Sequence, residues 1–567
     1  MKIKKAGNST SRFYKKNSLF WLFVVLIGIL FVFVYRDIVT LFYQQDEWFT
    51  LGQILADRLS NGKTSLSFVE FIAGRERPFS IPIQTFIYSV FTFNTIPFAL
   101  FSLVFHGINT ALVGCISYRL TKKYIFAYLT VVFFLINQQS QQALTWFAAN
   151  TTTLPSLTLG LLAIWFTYIG KDTRKQKWFL FSQIAVISAY MFKESAISIM
   201  MLLPLLLVKP IGSFSIKQCI KTYWLLILYI VFLIVSRTTA IGSSYMPLKE
   251  PAYESLSVVH VVVRSVWYPF VSLSQQYIPQ GILFRISGLF QTIMYPFLNG
   301  TVWGIQIAQT VIADMFSIIG SGIVLLLLYI AYQKIVMIRS VIILGLFISV
   351  VSFLPFSVLP RANAYLDSRY FYMSTVGGAL LFSSLLGGLW VVSKRTMVVR
   401  AGVVILTCMY LGINGFYINK NIQLLQSISE ERKNILVSME HLYPTLPKRV
   451  LIYSEGSTYG YYAIPELKWP FQQGVGFTLM TWYYKSGTIP ASFIHNGFLW
   501  DILSEGYTEE HDLGFGYVRH KEALVSYIRE YHLTKDNIIG IYYDHQQKQV
   551  IDISDQIRKE VFNSYVE

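Results

Sequence analysis

Charged side chains are scarce in this chain of 567 residues. Asp, Glu, Lys and Arg make up 14% of it and hydrophobic residues 54%, whereas about 25% of residues are charged in typical soluble domains. The apolar residues form long blocks, and a bilayer needs roughly 20 residues for each spanning helix. This composition excludes an ordinary soluble fold and predicts a polytopic α-helical membrane protein.

Cysteine is also rare. Cys115, Cys219 and Cys408 lie far apart, in or beside apolar blocks, which excludes a disulfide framework and a zinc-binding spacing. The sequence shows no internal repeat and no low-complexity tract. The first apolar block, residues 19–34, is followed by Tyr-Arg-Asp rather than by a small-residue cleavage site. This pattern predicts a retained signal anchor.

Acidic residues are fewer than basic ones, 30 against 47, so the net charge is +17. A basic chain can bind nucleic acid, but here the basic residues cluster in short loops between apolar blocks. The clusters occupy residues 2–16, 119–123, 171–177, 209–221, 334–339 and 394–400. They fit cytoplasmic loops under the positive-inside rule, which predicts contact with the lipid bilayer and no nucleic-acid partner.

About eleven spans, with residues 1–18 as a cytoplasmic N-terminus, place every basic cluster on the inner side. The predicted spans lie near residues 19–35, 97–118, 124–138, 153–169, 178–192, 195–208, 222–240, 312–333, 340–358, 371–392 and 401–418. Residues 19–418 are therefore the predicted transmembrane domain.

Two long external loops are predicted, at residues 36–79 and 237–310. Their aromatics, prolines and isolated charges favour helices that lie in the membrane interface. From residue 419 onward the hydropathy falls, and alternating patterns predict strands at 449–453 and 537–543 beside a helix at 427–441. Residues 419–567 are therefore predicted to form a small extracytoplasmic α/β domain.

Two adjacent carboxylates, Asp46 and Glu47, follow the first span by a few residues. A carboxylate at a membrane surface can act as general base toward a hydroxyl, and a neighbouring acid can tune its pKa or bind a cation. A solvated helix cap explains the same dipeptide.

Arginines occur on the predicted external side, where positive-inside statistics do not expect them. Arg75 and Arg77 flank the start of an apolar segment, and Arg369 with Tyr370 precedes the tenth predicted span. Guanidinium groups can hold a lipid-linked phosphate in a bidentate manner and stabilise it as a leaving group. Anchoring to lipid headgroups is the alternative.

The remaining candidates are polar or aromatic residues in or beside spans. His106 and Asn109 share one helix face, where interhelical hydrogen bonding is the favoured explanation. Trp146 follows a glutamine-rich turn, and the aromatic belt of the interface explains it equally well. The remaining pair is Lys193 and Glu194, which interrupts an apolar run and otherwise reads as a local ion pair. All these motifs fall on one predicted face of the membrane, which defines a candidate active surface.

The order of these motifs resembles the membrane glycosyltransferases of the GT-C superfamily, particularly protein O-mannosyltransferases and the mannosyltransferases that carry tetratricopeptide tails. The matching pieces span roughly residues 40–380. In order, they are Asp46-Glu47, Arg77-Pro78, His106 with Asn109, residues 143–146, Lys193-Glu194, and Arg369-Tyr370 with Tyr372 and Gly377.

This resemblance implies transfer of a sugar from a polyprenyl-phosphate carrier to an acceptor hydroxyl on a protein, lipid or cell-surface glycan. It places this transfer on the extracytoplasmic face of the membrane and implies that the anomeric configuration is inverted. It implies that Asp46 is the catalytic base, Glu47 a supporting acid, and Arg77 and Arg369 ligands of the carrier phosphate. The chain departs from the family in carrying Asn137-Gln138 in place of a His-Pro pair. It also carries no tetratricopeptide array. The acceptor and the use of a divalent cation stay open, because two carboxylates do not make a coordination sphere.

Two other classes of function compete with the enzyme. A transporter or flippase for lipid-linked sugars should carry charges at mid-membrane in broken helices. In this sequence the charges gather at the ends of predicted helices, which favours an interfacial enzyme. The third class is a catalytically inactive scaffold whose C-terminal domain binds partners, and substitution of Asp46 separates it from the enzyme.

Overall fold

The computed structural model describes residues 9–44, 47–48, 50–52, 77–207, 216–239, 258–294, 302–357, 368–393, 396–457, 468–471, 475–484, 490–494, 496–500 and 504–564. The first part of the chain is helical. Its helices are α1 Ser9–Tyr35, α2 Ser80–Phe91, α3 Ile96–Thr121, α4 Tyr124–Leu135, α5 Gln141–Thr145, α6 Phe147–Thr173, α7 Gln176–Phe192, α8 Ile197–Leu205, α9 Ile216–Thr222, α10 Trp224–Thr239, α11 Val258–Gln275, α12 Gln280–Met294, α13 Val302–Lys334, α14 Arg339–Val351, α15 Ser374–Val392 and α16 Met397–Leu442.

Each predicted span coincides with an apolar helix of this set. Seven segments of the described chain are long and apolar enough to cross a bilayer, and they include α3, α6, α15 and the first part of α16. Shorter apolar helices include α4 and α10. The mostly helical membrane fold is therefore confirmed, while the number of crossings and the orientation of the termini stay predictions.

Close packing of α14 against α15 depends on small residues. A Cβ atom added at Gly377 would lie 2.4 Å from the carbonyl oxygen of Gly345 and 2.3 Å from the hydroxyl of Ser349. Apolar side chains gain little by leaving lipid for another helix, so close backbone approach through small residues holds such helices together.

Helices α11 and α12 lie within the predicted second external loop, as expected for that loop. Helix α11 exposes Val258, Val262 and Val266 along its first turns and buries Ser272 and Leu273 near its end. In the first loop, by contrast, only residues 36–44, 47–48, 50–52 and 77–79 are described. Helix α2 follows them and was not among the predicted spans.

The last long helix, α16, runs without a break through 46 residues. At about 1.5 Å per residue it is roughly 69 Å long, more than twice the hydrocarbon thickness of a bilayer. The predicted boundary at residue 419 and the separate helix at 427–441 both fall inside it. The drop in hydropathy marks where the helix becomes polar, and no proline interrupts it there.

The C-terminal part contains a five-stranded sheet and five helices. The strands are β1 Arg449–Gly456, β2 Gly506–Glu510, β3 Leu513–Val518, β4 Ile538–Asp544 and β5 Gln549–Asp552, and the helices are α17 Val475–Tyr483, α18 Ala491–Ile494, α19 Gly497–Trp500, α20 Lys521–Glu530 and α21 Ser554–Ser564. The strand order in the sheet is β2-β3-β1-β4-β5. Strand β1 is parallel to β3 and β4, while the edge strands β2 and β5 are antiparallel to their neighbours.

Both faces of this sheet are covered. Val450 and Ile452 of β1 belong to the large hydrophobic core that is continuous with the membrane helices. Leu451 and Tyr453 point to the opposite face and pack in a separate cluster with residues of α20 and α21. A strand buried on both faces reads as a continuous apolar run. Residues 450–453 form such a run, rather than the alternating pattern from which the strand is predicted. The small C-terminal α/β domain is confirmed.

Candidate active site

The segment after α1 is fixed against the beginning of α6 by a buried carboxylate. Glu47 accepts hydrogen bonds from the backbone N–H of Gln44 at 3.1 Å and from that of Ala148 at 3.2 Å. Gln44 in turn donates from its amide to the carbonyl of Thr145, at 3.0 Å. Because Ala148 lies in the first turn of α6, the Glu47 carboxylate satisfies an unpaired helix N–H and interacts favourably with the helix dipole.

Aromatic packing holds the same segment from the other side. Trp48 is buried among Phe42, Tyr43 and Phe93, with ring centroids 5.5 to 6.0 Å from its own. The Tyr43 hydroxyl donates to the carbonyl of Thr92, at 2.9 Å. The predicted base, Asp46, lies outside the described residues, so its catalytic role stays a prediction, as does the supporting role of Glu47.

Arg77 and Glu194 meet although 117 positions separate them in sequence. The Arg77 Nε lies 3.1 Å from Glu194 Oε1 and 3.3 Å from Oε2. Arg77 has a φ of 51°, a left-handed conformation that is sparsely populated by residues with a side chain. Such strain persists where the surroundings impose it, commonly at ligand sites.

A local ion pair would require Lys193 to contact its neighbour Glu194, but Lys193 contacts a different residue. Lys193 is only 8% exposed, and its ammonium donates to the Thr153 hydroxyl at 2.6 Å. Burial lowers the pKa of this amine to about 7, and the positive charges of Arg77 and Arg369 add to the effect. The three cations are therefore close enough to act on one another.

Arg369 stands over the ring of Trp146, with its guanidinium carbon 3.8 Å from the ring centroid. Its backbone N–H donates to Gln142 Oε1 at 3.2 Å, and its guanidinium lies 5.3 Å from the centroid of Tyr370. A guanidinium stacked on an aromatic face keeps its edge available for planar anions. Trp146 thus contacts a predicted phosphate ligand, a role that a belt residue does not require.

A small cavity lies beside Lys193 and Arg369. Its lining includes Lys193, Arg369 and Tyr370, together with Thr153 and Ser195. Counted over Arg77, Arg369 and Glu194 alone, the net charge is +1, and a protonated Lys193 raises it to +2. The cluster therefore has the charge and the donors that bind a phosphate, beside a cavity of about 10 Å³ that has room for about one water molecule.

His106 and Asn109 form a buried hydrogen-bond network below this cavity. His106 Nε2 lies 3.1 Å from the carbonyl of Leu135, which can only accept, so Nδ1 accepts from the Tyr372 hydroxyl at 2.9 Å. Asn109 donates to the same hydroxyl at 3.2 Å and accepts from Thr158 at 2.7 Å. The network joins α3, α4, α6 and the start of α15, in agreement with the interhelical explanation.

Sequence reasoning did not select Thr153 or Ser195, because isolated hydroxyls in apolar helices carry no motif. Arg75 was selected but lies outside the described residues, so its predicted phosphate contact is not tested. Within the part of the chain that the structure describes, no three His, Cys, Asp or Glu side chains lie together as metal ligands do. The use of a divalent cation stays open, because Asp46 is not among those residues.

Comparison with known proteins gives a family match and a structural match. Residues 77–239 match the sequence model of a family described as dolichyl-phosphate-mannose-protein mannosyltransferase. The structure is similar to a crystal structure of ArnT from Cupriavidus metallidurans bound to undecaprenyl phosphate, with 14% identity, 82% of this chain and 85% of that chain covered, and a TM-score of 0.34. No curated protein matches significantly.

The family match covers the segment that contains Arg77, His106, Trp146, Lys193 and Glu194. It confirms the resemblance to GT-C membrane glycosyltransferases in the region that supplies Arg77 and Lys193, while Arg369 lies outside the matched residues. Over residues 77–239, the chain is therefore similar to the family described as dolichyl-phosphate-mannose-protein mannosyltransferase.

Proposed function

We propose that this protein transfers a sugar from a polyprenyl-phosphate carrier to an acceptor hydroxyl on the extracytoplasmic face of the membrane. One observation carries the proposal. Lys193 and Arg369 line one cavity and the charge of Arg77 acts on Lys193, although up to 292 positions separate the three residues in sequence. A cluster of cations at the ends of membrane helices fits an anionic group at the interface better than it fits a mid-membrane pathway.

The reaction is a single displacement at the anomeric carbon. The acceptor hydroxyl gives its proton to the Asp46 carboxylate while its oxygen forms the new bond to carbon 1 of the sugar. The bond from carbon 1 to the phosphate oxygen breaks, and the polyprenyl phosphate leaves with the electron pair. One base and one displacement invert the configuration of carbon 1.

The cation cluster acts on the leaving group. A sugar phosphodiester carries one negative charge, and the departing phosphate monoester carries nearly two. Positive charges that stand in place before the reaction stabilise the second charge as it develops, which lowers the barrier. Glu194 holds Arg77 in position and limits the net charge, while Trp146 holds Arg369.

The test is turnover of radiolabelled polyprenyl-phosphate mannose, chosen because the matching family is named for a carrier of this type. Purified protein in lipid is incubated with the donor and with membranes that lack this protein, and transfer and hydrolysis are both counted. We expect Asp46→Asn to abolish transfer while donor binding persists, because the change removes the base and keeps the shape.

The matched control is Asp37→Asn, which changes an acid paired with Arg36 before the candidate site. It should transfer normally. If wild-type protein turns over no donor but moves it between the leaflets of a vesicle, the enzyme proposal is wrong and the transporter replaces it. If Asp46→Asn transfers as fast as wild type, the assigned base is wrong.

A further inference from the structure

A second and larger cavity, of about 460 Å³, lies between the membrane helices and the C-terminal part of the chain. Small-molecule sites in proteins commonly have volumes of roughly 300 to 1,000 Å³. The walls are formed by the end of the turn after α1, by the connection from α2 to α3, and by α16. The lining residues are Val39, Thr40, Leu41, Phe42, Phe93, Asn94, Thr95, Ile96, Ser429, Glu430 and Lys433.

The wall formed by α16 is polar and contains a buried hydroxyl. Ser429 is 1% exposed, yet its oxygen has no hydrogen-bond partner among the described residues. Glu430 and Lys433 lie at the same wall and carry opposite charges. The two charged side chains give this wall hydrogen-bonding groups that a polar ligand could contact.

The opposite wall is aromatic. Phe42 is buried, and Phe93 stacks on Trp482 of α17 with ring centroids 4.4 Å apart and an angle of 28° between the planes. Trp482 belongs to the C-terminal part of the chain, so both parts support this wall. An aromatic wall opposite several hydrogen-bonding groups suits a sugar ring, whose C–H bonds face one way and whose hydroxyls face outward.

The cavity and the cation cluster lie on one side of the helical region. Asn421 of α16 donates to Gln141 at 2.9 Å, and the next residue, Gln142, accepts from the backbone of Arg369. Ser429 lies two turns further along α16, on the side away from the membrane part of that helix. In sequence, Asp46 falls between Phe42, which lines the cavity, and Glu47, which is bound to the start of α6.

We infer that this second cavity binds the acceptor, as an uncharged saccharide whose hydroxyl receives the transferred sugar. The inference rests on the proposed function. Balanced charges at Glu430 and Lys433 favour a neutral ligand over a polyanion, and the hydroxyl and amide groups of the lining match sugar hydroxyls. The C-terminal part of the chain thereby takes part in choosing the acceptor.

The test fills the cavity without changing the donor site. Lys433→Trp and Glu430→Trp each place a large ring at the exposed edge of the cavity. Each should raise the KM for acceptor membranes at least about tenfold, since it displaces the ligand and removes hydrogen bonds. The KM for polyprenyl-phosphate mannose and its hydrolysis by water should stay at the wild-type values. Asn434→Trp is the matched control, because Asn434 is exposed on the same helix but does not line the cavity.

The outcomes separate this inference from the proposed function. If wild type neither transfers nor hydrolyses the donor, the proposed function fails. If wild type transfers and both cavity variants transfer with an unchanged acceptor KM, the acceptor site lies elsewhere. Equal losses of hydrolysis and transfer also overturn the inference, since the cavity would then serve the donor. If Lys433→Gln weakens the acceptor, Glu430→Gln strengthens it and the acceptor KM rises steeply with salt, the acceptor is anionic and the neutral saccharide is wrong.

Discussion

Replacement of Lys193 by methionine should make the protein more stable and less able to bind its donor. Lys193 is 8% exposed, and burial lowers the pKa of its amine from 10.5 to about 7. Each pKa unit corresponds to about 1.4 kcal/mol, so at neutral pH this lysine disfavours the folded state by an amount on the order of 4 kcal/mol. Methionine keeps the length of the side chain and removes this term, although it also leaves the Thr153 hydroxyl without its donor.

The pH dependence follows from the same shift, and its sign differs between stability and binding. Between about pH 7 and about pH 10 the unfolded state holds the lysine proton and the folded state releases it, so stability should rise with pH in this window. A phosphodiester prefers the protonated amine, so donor affinity should fall as pH rises through 7. At roughly 5 Å, with an effective dielectric constant near 20, one unit charge contributes about 3 kcal/mol, reduced by solvent screening.

Two measurements check this reasoning. Thermal unfolding in detergent and binding of polyprenyl-phosphate mannose are each followed between about pH 6 and about pH 9. Wild type should lose affinity by at least about tenfold across this range, and Lys193→Met should bind weakly throughout with little pH dependence. Lys420→Met, an exposed change on α16, should behave as wild type. A Lys193→Met protein that unfolds at a lower temperature than wild type, or that keeps the wild-type pH profile, would refute the argument.

Three further substitutions test the framework of the site. Glu47→Ala removes an acceptor from two buried backbone N–H groups, and we expect a loss of about 2–4 kcal/mol in a denaturation assay. Tyr372→Phe deletes the hydroxyl that bonds His106, and should lower the free energy of unfolding by about 1–3 kcal/mol. The donor KM should change little. Gly377→Ala forces a Cβ to within 2.4 Å of the Gly345 carbonyl, and should lower the unfolding temperature through a loss of about 1–3 kcal/mol or more.

Each of these predictions has its own control. Glu47→Gln retains one acceptor oxygen and should lie between wild type and the alanine variant. His106→Phe breaks the same hydrogen-bond network as Tyr372→Phe. The double variant should therefore lose less free energy of unfolding than the sum of the losses in the two single variants. Gly402→Ala is the control for Gly377→Ala, because nothing lies within 4 Å of a Cβ at Gly402. An unfolding temperature for Gly377→Ala equal to that of Gly402→Ala would contradict the close-packing argument.

The sequence by itself determined that this protein lies in a membrane, and it determined the approximate positions of its helices. Hydropathy depends on local composition, and a bilayer demands a minimum apolar length, so each predicted span coincides with a helix. The strand at 449–453 was also predictable, because the pattern of apolar residues in a short segment indicates a strand. Helix α16 shows the limit of predicting helix ends from hydropathy. A change from apolar to polar residues does not end a helix that contains no proline.

The tertiary structure decided which charges meet. Lys193 and Glu194 are adjacent in sequence, yet one donates to Thr153 and the other pairs with Arg77. Adjacent residues at the end of a helix point in different directions, so their partners come from other helices and cannot be read from spacing. The cavity beside α16 depends likewise on two distant parts of the chain packing together. Local patterns fix what each segment is, whereas long-range packing fixes which segments share a site.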